Sequence, residues 1–244
     1  MLKHKRKILI TLTAVFGLGV MVLVYIGYAL PGETACALAK FAELEALPDG
    51  TLVEQSNSAA ERATFIEIQS QAKERIKEFF GVPRAQPLVI VFRDSRPFWP
   101  LKLNPYASAA FIGSRVCVLI GPHGQNVDVV AHEFMHAELA HRVGHWRRNF
   151  DVPAWFDEGV AMQVDLRARY NWSNQQGKSN DYGYVRQFNS QGQFNDADDK
   201  QLTRNYAAAK AEVAQWLTTI GHGELYNRLE RIHAGEDFDA VLVK

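Results

Sequence analysis

The feature that most constrains this chain is His132-Glu133-Phe134-Met135-His136, followed after 21 intervening residues by Glu158 in the stretch Trp155-Phe156-Asp157-Glu158-Gly159. Residues four apart on an α-helix share a face, so His132 and His136 project side by side once this stretch is helical. Asn126 as N-cap and Gly144 just past the end bracket such a helix, and Val129, Val130, Phe134 and Ala137 give it a buried side. Two neutral imidazoles at this spacing can share one Zn2+ as nitrogen ligands. Glu133, about 100° around the helix from His132, then stands beside the metal, where a carboxylate can take a proton from a bound water. A catalytic zinc needs a third protein ligand and an open fourth position, and Glu158 is the candidate ligand. The bland alternative is a chance match on a surface helix in a chain with eight histidines. The helical context of both stretches favours the metal.

The N-terminus constrains where such a chain resides. Ile8 to Leu30 is an uncharged, apolar run, about 35 Å long as a helix, which is enough to cross a bilayer. Lys3, Lys5, Arg6 and Lys7 precede it, so residues 1–7 are expected in the cytoplasm and the remainder on the other side of an inner (cytoplasmic) membrane, periplasmic or extracellular. A cleaved signal peptide is the alternative, with Ala35, Ala37 and Ala39 as possible small residues at a cleavage site. A lipid attachment through Cys36 fits poorly, because Glu33 stands where such signals carry an apolar residue. In an exported chain the two cysteines, Cys36 and Cys117, are a natural pair for one disulfide, two unpaired thiols being the alternative.

Formal net charge is zero, with 27 basic and 27 acidic residues and no basic tract beyond the N-terminus, which argues against a nucleic-acid partner. Beyond the anchor, 31–84 reads as a helical N-terminal segment, with a short helix from Glu33 to Leu47 and a longer one from Ala59 to Phe80. Phe65, Ile68, Ala72, Ile76, Phe79 and Phe80 form the apolar stripe of the longer helix. Residues 85–244 open with a buried strand over Pro87 to Phe92. Phe98 and Trp99 follow in a loop, as surface aromatics or as a substrate rim. Ala109–Ile112 and Arg115–Ile120 read as a hairpin whose edge can bind an extended peptide. Asp157 is either a carboxylate that orients a zinc histidine or a first-turn acid favoured by the helix dipole. The polar stretch 170–200 is a lid, a binding loop or a plain insertion, and Gln201 to Ile220 is an Ala-rich helix. His123, His141 and His145 read as ordinary polar histidines, although His123 and His145 lie near enough in sequence to bind substrate.

Val130-Ala131-His132-Glu133 to His136, with Pro153-Ala154-Trp155-Phe156-Asp157-Glu158-Gly159-Val160-Ala161, resembles the gluzincin (peptidase MA-like) zinc metallopeptidases. The resemblance implies an α+β zincin-like domain, with a small sheet above an active-site helix and a helical C-terminal part. It implies His132, His136 and Glu158 as metal ligands, Glu133 as general base, and peptides or proteins as substrates. Tyr206, which begins a helical stretch similar to that group's, is implied as the oxyanion donor, a simple core tyrosine being the alternative. The 21-residue interval before Glu158 is longer than in the thermolysin and aminopeptidase branches and suggests a crossover loop around His145-Trp146-Arg147-Arg148. A metzincin is excluded, because Leu139 and Arg142 stand where Gly and His are required. The alternative within the same fold is a non-catalytic zincin-like domain that binds a cell-envelope partner.

Overall fold

The computed structural model describes residues 16–243 except 20, 23, 94–97, 99 and 176–180. The basic N-terminus, the start of the apolar run and Trp99 therefore lie outside the described residues. Among the described residues no single helix is long and apolar enough to cross a membrane. One bent pair, Phe16–Ala29 and Pro31–Phe41 at 110°, meets that test jointly by length and composition.

The fold is mixed α+β, a five-stranded sheet among helices. Helix α1 (Pro31–Leu38) is followed by β1 (Leu44–Ala46), β2 (Leu52–Glu54) and α2 (Ala59–Phe80). Then come β3 (Leu88–Val91), β4 (Ala107–Ile112) and β5 (Arg115–Ile120). The rest is helical: α3 (Val127–Val143), α4 (His145–Asp151), α5 (Ala154–Ala161), α6 (Gln191–Asn195), α7 (Asp199–Ile220), α8 (Leu225–His233) and α9 (Phe238–Leu242). The sheet order is β1-β2-β3-β5-β4, parallel at β2–β3 and β3–β5 and antiparallel at both ends. Segment 31–84 thus supplies two strands of the same sheet that 85–244 completes. The expected helix from Glu33 to Leu47 is shorter than its sequence suggested. It ends at Leu38, and Leu44–Ala46 pair with Leu52–Glu54 as a strand instead. Here the tertiary pairing of a short apolar segment outweighs its local helical pattern.

The central strand β3 and Val116–Ile120 of β5 read as unbroken apolar runs because both faces of the sheet are covered there. Val89, Val91, Val118 and Ile120 face the main core under α2 and α3. Ile90, Phe92, Cys117 and Leu119 face a second core built with Ala35, Cys36 and Ala39 of the N-terminal segment. Phe98 belongs to this second core and is 3% exposed, so it is not a surface aromatic. Cys36 and Cys117 are joined by a disulfide that ties α1 to the centre of the sheet, with Cα atoms 6.1 Å apart. The expected hairpin is β4–β5, whose two-residue turn uses Gly113 at φ 57. That is the first central position of a type II′ turn, where a positive φ is required.

Helix α2 keeps the expected bounds. Ser58 and Glu61 form a reciprocal capping box at its start, and Phe65, Ala72, Ile76 and Phe80 are buried. Helix α3 is capped as anticipated: Asn126 accepts from the Val129 N–H at 3.1 Å, and Gly144 at φ 86 ends it. It is buried nearly all round, not on one stripe alone. Even Glu138 and Arg142 are inside: Glu138 accepts from the Arg84 and Ala85 N–H groups at 2.8 and 2.7 Å and from Arg142 Nε at 2.5 Å. A central helix of this kind gives His132 and His136 a rigid, water-poor base.

Candidate metal centre

Helix α3 presents His132, Glu133 and His136, and α5 brings Glu158 against them. The Nε2 atoms of His132 and His136 lie 3.0 Å apart, and each is 3.5 Å from Glu158 Oε2. The corners of that triangle lie about 1.9 Å from a common centre, close to the ~2.0–2.2 Å of zinc–nitrogen and zinc–oxygen bonds. Glu158 Oε2 is buried without a hydrogen-bond partner, an expensive state for a carboxylate oxygen unless a cation takes that place. The three residues fit one metal ion.

Helix α5 is held where it is by close packing against α7. A Cβ on Gly159 would meet Val213 Cγ2 at 2.5 Å and the Ala209 carbonyl oxygen at 2.6 Å, so only glycine allows this approach. Val160 and Ala161 are buried beside it.

Asp157 does what the orienting alternative required: its Oδ1 accepts a hydrogen bond from His136 Nδ1–H at 2.9 Å. Asp157 is also a first-turn acid of α5, so both readings of it hold. Its other oxygen bonds to Arg148. Arg148 belongs to α4, which forms a short helix where a crossover loop was expected. Gly144, at φ 86, turns the chain out of α3 and directly into that helix. His132 Nδ1 is buried and has no corresponding partner, so only one of the two histidines is held from behind.

The charge distribution follows from this packing. Burial opposes ionisation of His136, but Asp157 and Glu158 outweigh it and hold its pKa well above the usual range. Glu158 is pushed up by burial, yet the imidazoles of His136 and His132, each 3.5 Å from its Oε2, bring it well below the ordinary carboxylate range. Asp157 is likewise lowered, burial being outweighed by Arg148 and His136. Glu133 is shifted the other way: burial raises it above the usual value, against the opposing pull of His132, His136 and the Ala109 N–H. The centre thus pairs a strongly ionised ligand carboxylate with a neighbouring one that holds a proton more readily.

Tyr206, on α7, is partly buried, with its ring edge-on to His132 at 6.3 Å between centroids. The negative charge of Glu158, then burial, raise its pKa well above 10, so the phenol keeps its proton and remains a donor. His132, Glu133 and Tyr206 line one cavity of about 350 Å3 together with Tyr170 and Arg169. A larger cavity of about 1020 Å3 lies on another flank of α3, beside Phe134 and Ala137, and contains none of the ligand residues. Of the His132–His136–Glu158 cluster, His132 alone lines the smaller cavity, with Glu133 beside it.

His123 and His141 are exposed, while His145 is half-buried and stacks on Phe111 of β4. None of the three joins the metal cluster. Within the stretch 170–200, the described segment 183–195 is packed and not an open loop: Val185 and Phe194 are fully buried in the core. Sequence reading missed Arg148, Tyr170 and Gln191. Arg148 and Gln191 lie nine and 33 residues from the acids they touch and belong to no motif. Comparison with protein-family models finds none that matches, and comparison with curated proteins finds no match either.

Proposed function

We propose that this chain is a zinc metallopeptidase of the gluzincin kind, anchored by Ile8–Leu30 in the inner membrane with its catalytic domain on the periplasmic or extracellular side. The observation that carries the reading is the buried His132–His136–Glu158 triangle with Glu133 beside it, on the wall of the same cavity as Tyr206. Zinc bound at the triangle would lower the pKa of its water and polarise a substrate carbonyl.

The chain's own residues do the rest. Glu133 takes the proton of the attacking water and passes it to the leaving amine, a role its raised pKa suits. Tyr206 donates its phenol hydrogen to the developing oxyanion. β4 is an edge strand of the sheet, and its Ala109 N–H faces Glu133. A substrate segment that adds to this edge runs its backbone past Glu133.

The test uses the full chain and a labelled peptide mixture. Wild type is expected to hold one zinc per chain and to cleave peptides, while Glu133→Gln holds the same zinc and loses turnover. Full activity in Glu133→Gln would remove Glu133 from the mechanism. Absence of stoichiometric zinc in the folded wild type would remove the enzyme reading.

A further inference from the structure

The segment 183–195 packs against the ligand-bearing helix α5 and against α7, and reaches the metal centre from outside the sequence motif. The carbonyl oxygens of Phe188 and Asn189 accept from the N–H groups of Trp155 at 3.2 Å and Ala154 at 3.3 Å. These are first-turn donors of α5, which Pro153 leaves without a side-chain cap. Ser190 and Gln193 form a reciprocal capping box that sets α6. From α6, Gln191 Nε2 donates to Glu158 Oε1 at 2.8 Å. Asn195 Nδ2 donates to Gln191 Oε1 at 3.3 Å, which fixes the end of the amide that faces Glu158. The two oxygens of Glu158 are thereby made unlike: Oε1 has a donor, and the buried Oε2, without one, faces both histidine Nε2 atoms.

We propose that Gln191 is a positioning residue of the metal centre that engages Glu158 Oε1 and so leaves Oε2 as the single ligand oxygen. The inference rests on the metal reading above. A carboxylate free at both oxygens can take a cation with both, and the second bond would occupy the position a catalytic site must keep open. A neutral donor on Oε1 competes with that second bond and fixes the rotation of the carboxylate before the metal arrives. Outer partners of this sort typically alter metal affinity by about 10–100-fold when removed.

The experiment compares wild type, Gln191→Leu, Gln193→Ala and Glu158→Ala in the full chain. Zinc affinity is read by competition with a chromogenic chelator, and coordination by the visible absorption of the cobalt(II) form. Gln191→Leu keeps the bulk of the side chain and removes the donor. Gln193→Ala loosens the cap of α6 without touching Glu158. The expected result is zinc binding about 10–100-fold weaker in Gln191→Leu, with weaker cobalt absorption as the coordination number rises, and near-wild-type values in Gln193→Ala. Zinc affinity in Gln191→Leu within twofold of wild type, while Glu158→Ala loses the metal, overturns this inference and leaves the metal centre standing. Equal losses in Gln191→Leu and Gln193→Ala also overturn it, because order in the segment and not the donor would then be responsible. A wild type that binds no metal overturns both.

Discussion

Replacing Gly159 by Ala sets two effects of opposite sign against each other. Gly159 lies inside α5, where Ala is the better helix former by about 1 kcal/mol, so propensity alone favours the substitution. The added Cβ, however, would stand 2.5 Å from Val213 Cγ2 and 2.6 Å from the Ala209 carbonyl oxygen. Ordinary contact begins near 3.4 Å, so α5 and α7 must separate by about 1 Å in a close-packed interior. Val213 can change rotamer, but a helical carbonyl cannot turn away. Overpacking costs roughly 1–3 kcal/mol, and a clash with backbone belongs at the upper end of that range. The clash therefore wins, with a net destabilisation of about 2 kcal/mol. For a domain of this size each kcal/mol moves Tm by about 2–4 °C, so thermal unfolding of Gly159→Ala should occur about 4–8 °C below wild type. Zinc affinity should fall as well, because Glu158 moves with α5. Gly192→Ala is the contrast: it sits in α6 with no atom nearer than 4.0 Å, so it should be neutral or stabilising by up to about 1 kcal/mol. A Tm for Gly159→Ala at or above wild type would refute the close approach of the two helices.

Other outcomes follow from the same packing. Arg148→Ala removes the buried guanidinium partner of the Asp157 carboxylate and should cost about 3–5 kcal/mol in urea unfolding. Arg148→Ala combined with Asp157→Asn should cost less than the two changes added, and strict additivity would deny the coupling. Removing the Cys36–Cys117 link by Cys36→Ser frees a loop with a sequence separation of 81 and should cost about 4–5 kcal/mol on the chain-entropy account. A denaturation midpoint that neither this change nor reductant shifts would contradict it. Asp165, wholly buried, has its carboxyl pushed up by burial, but Arg167 outweighs this and holds it below the usual range. A lowered carboxylate contributes stability that is full above its unfolded value of about 3.9 and is lost as pH falls through the folded value. Asp165→Asn should therefore flatten the acid limb of the stability profile, measured as denaturant midpoints between about pH 2 and 6. An unchanged acid limb would show that the pair contributes nothing.

What was legible in the sequence is what short-range geometry dictates. The bounds of α3 follow from Asn126 and Gly144, and those of α2 from Ser58 and Gly81, because caps act within one turn. His132 and His136 are placed by helical periodicity alone. The turn at Gly113-Ser114 sets the β4–β5 register, because a two-residue connection leaves little choice. Glu158 was found because its own helix could be recognised, although its distance from the histidines could not.

Only the tertiary structure decided the rest. Leu44–Ala46 become a strand because Leu52–Glu54 offer a partner, a pairing that no local pattern encodes. Glu138 and Arg142 are charged yet buried, since Glu230 of α8 and the backbone of Val82–Ala85 supply their counter-groups. Arg148 and Gln191 reach Asp157 and Glu158 through α4 and α6, across chain separations that periodicity does not span. Sequence by itself determined which side chains can bind a metal, because ligand chemistry and helical spacing are local. The fold decided which partners hold those side chains in place, because burial and hydrogen bonding depend on what the rest of the chain brings alongside.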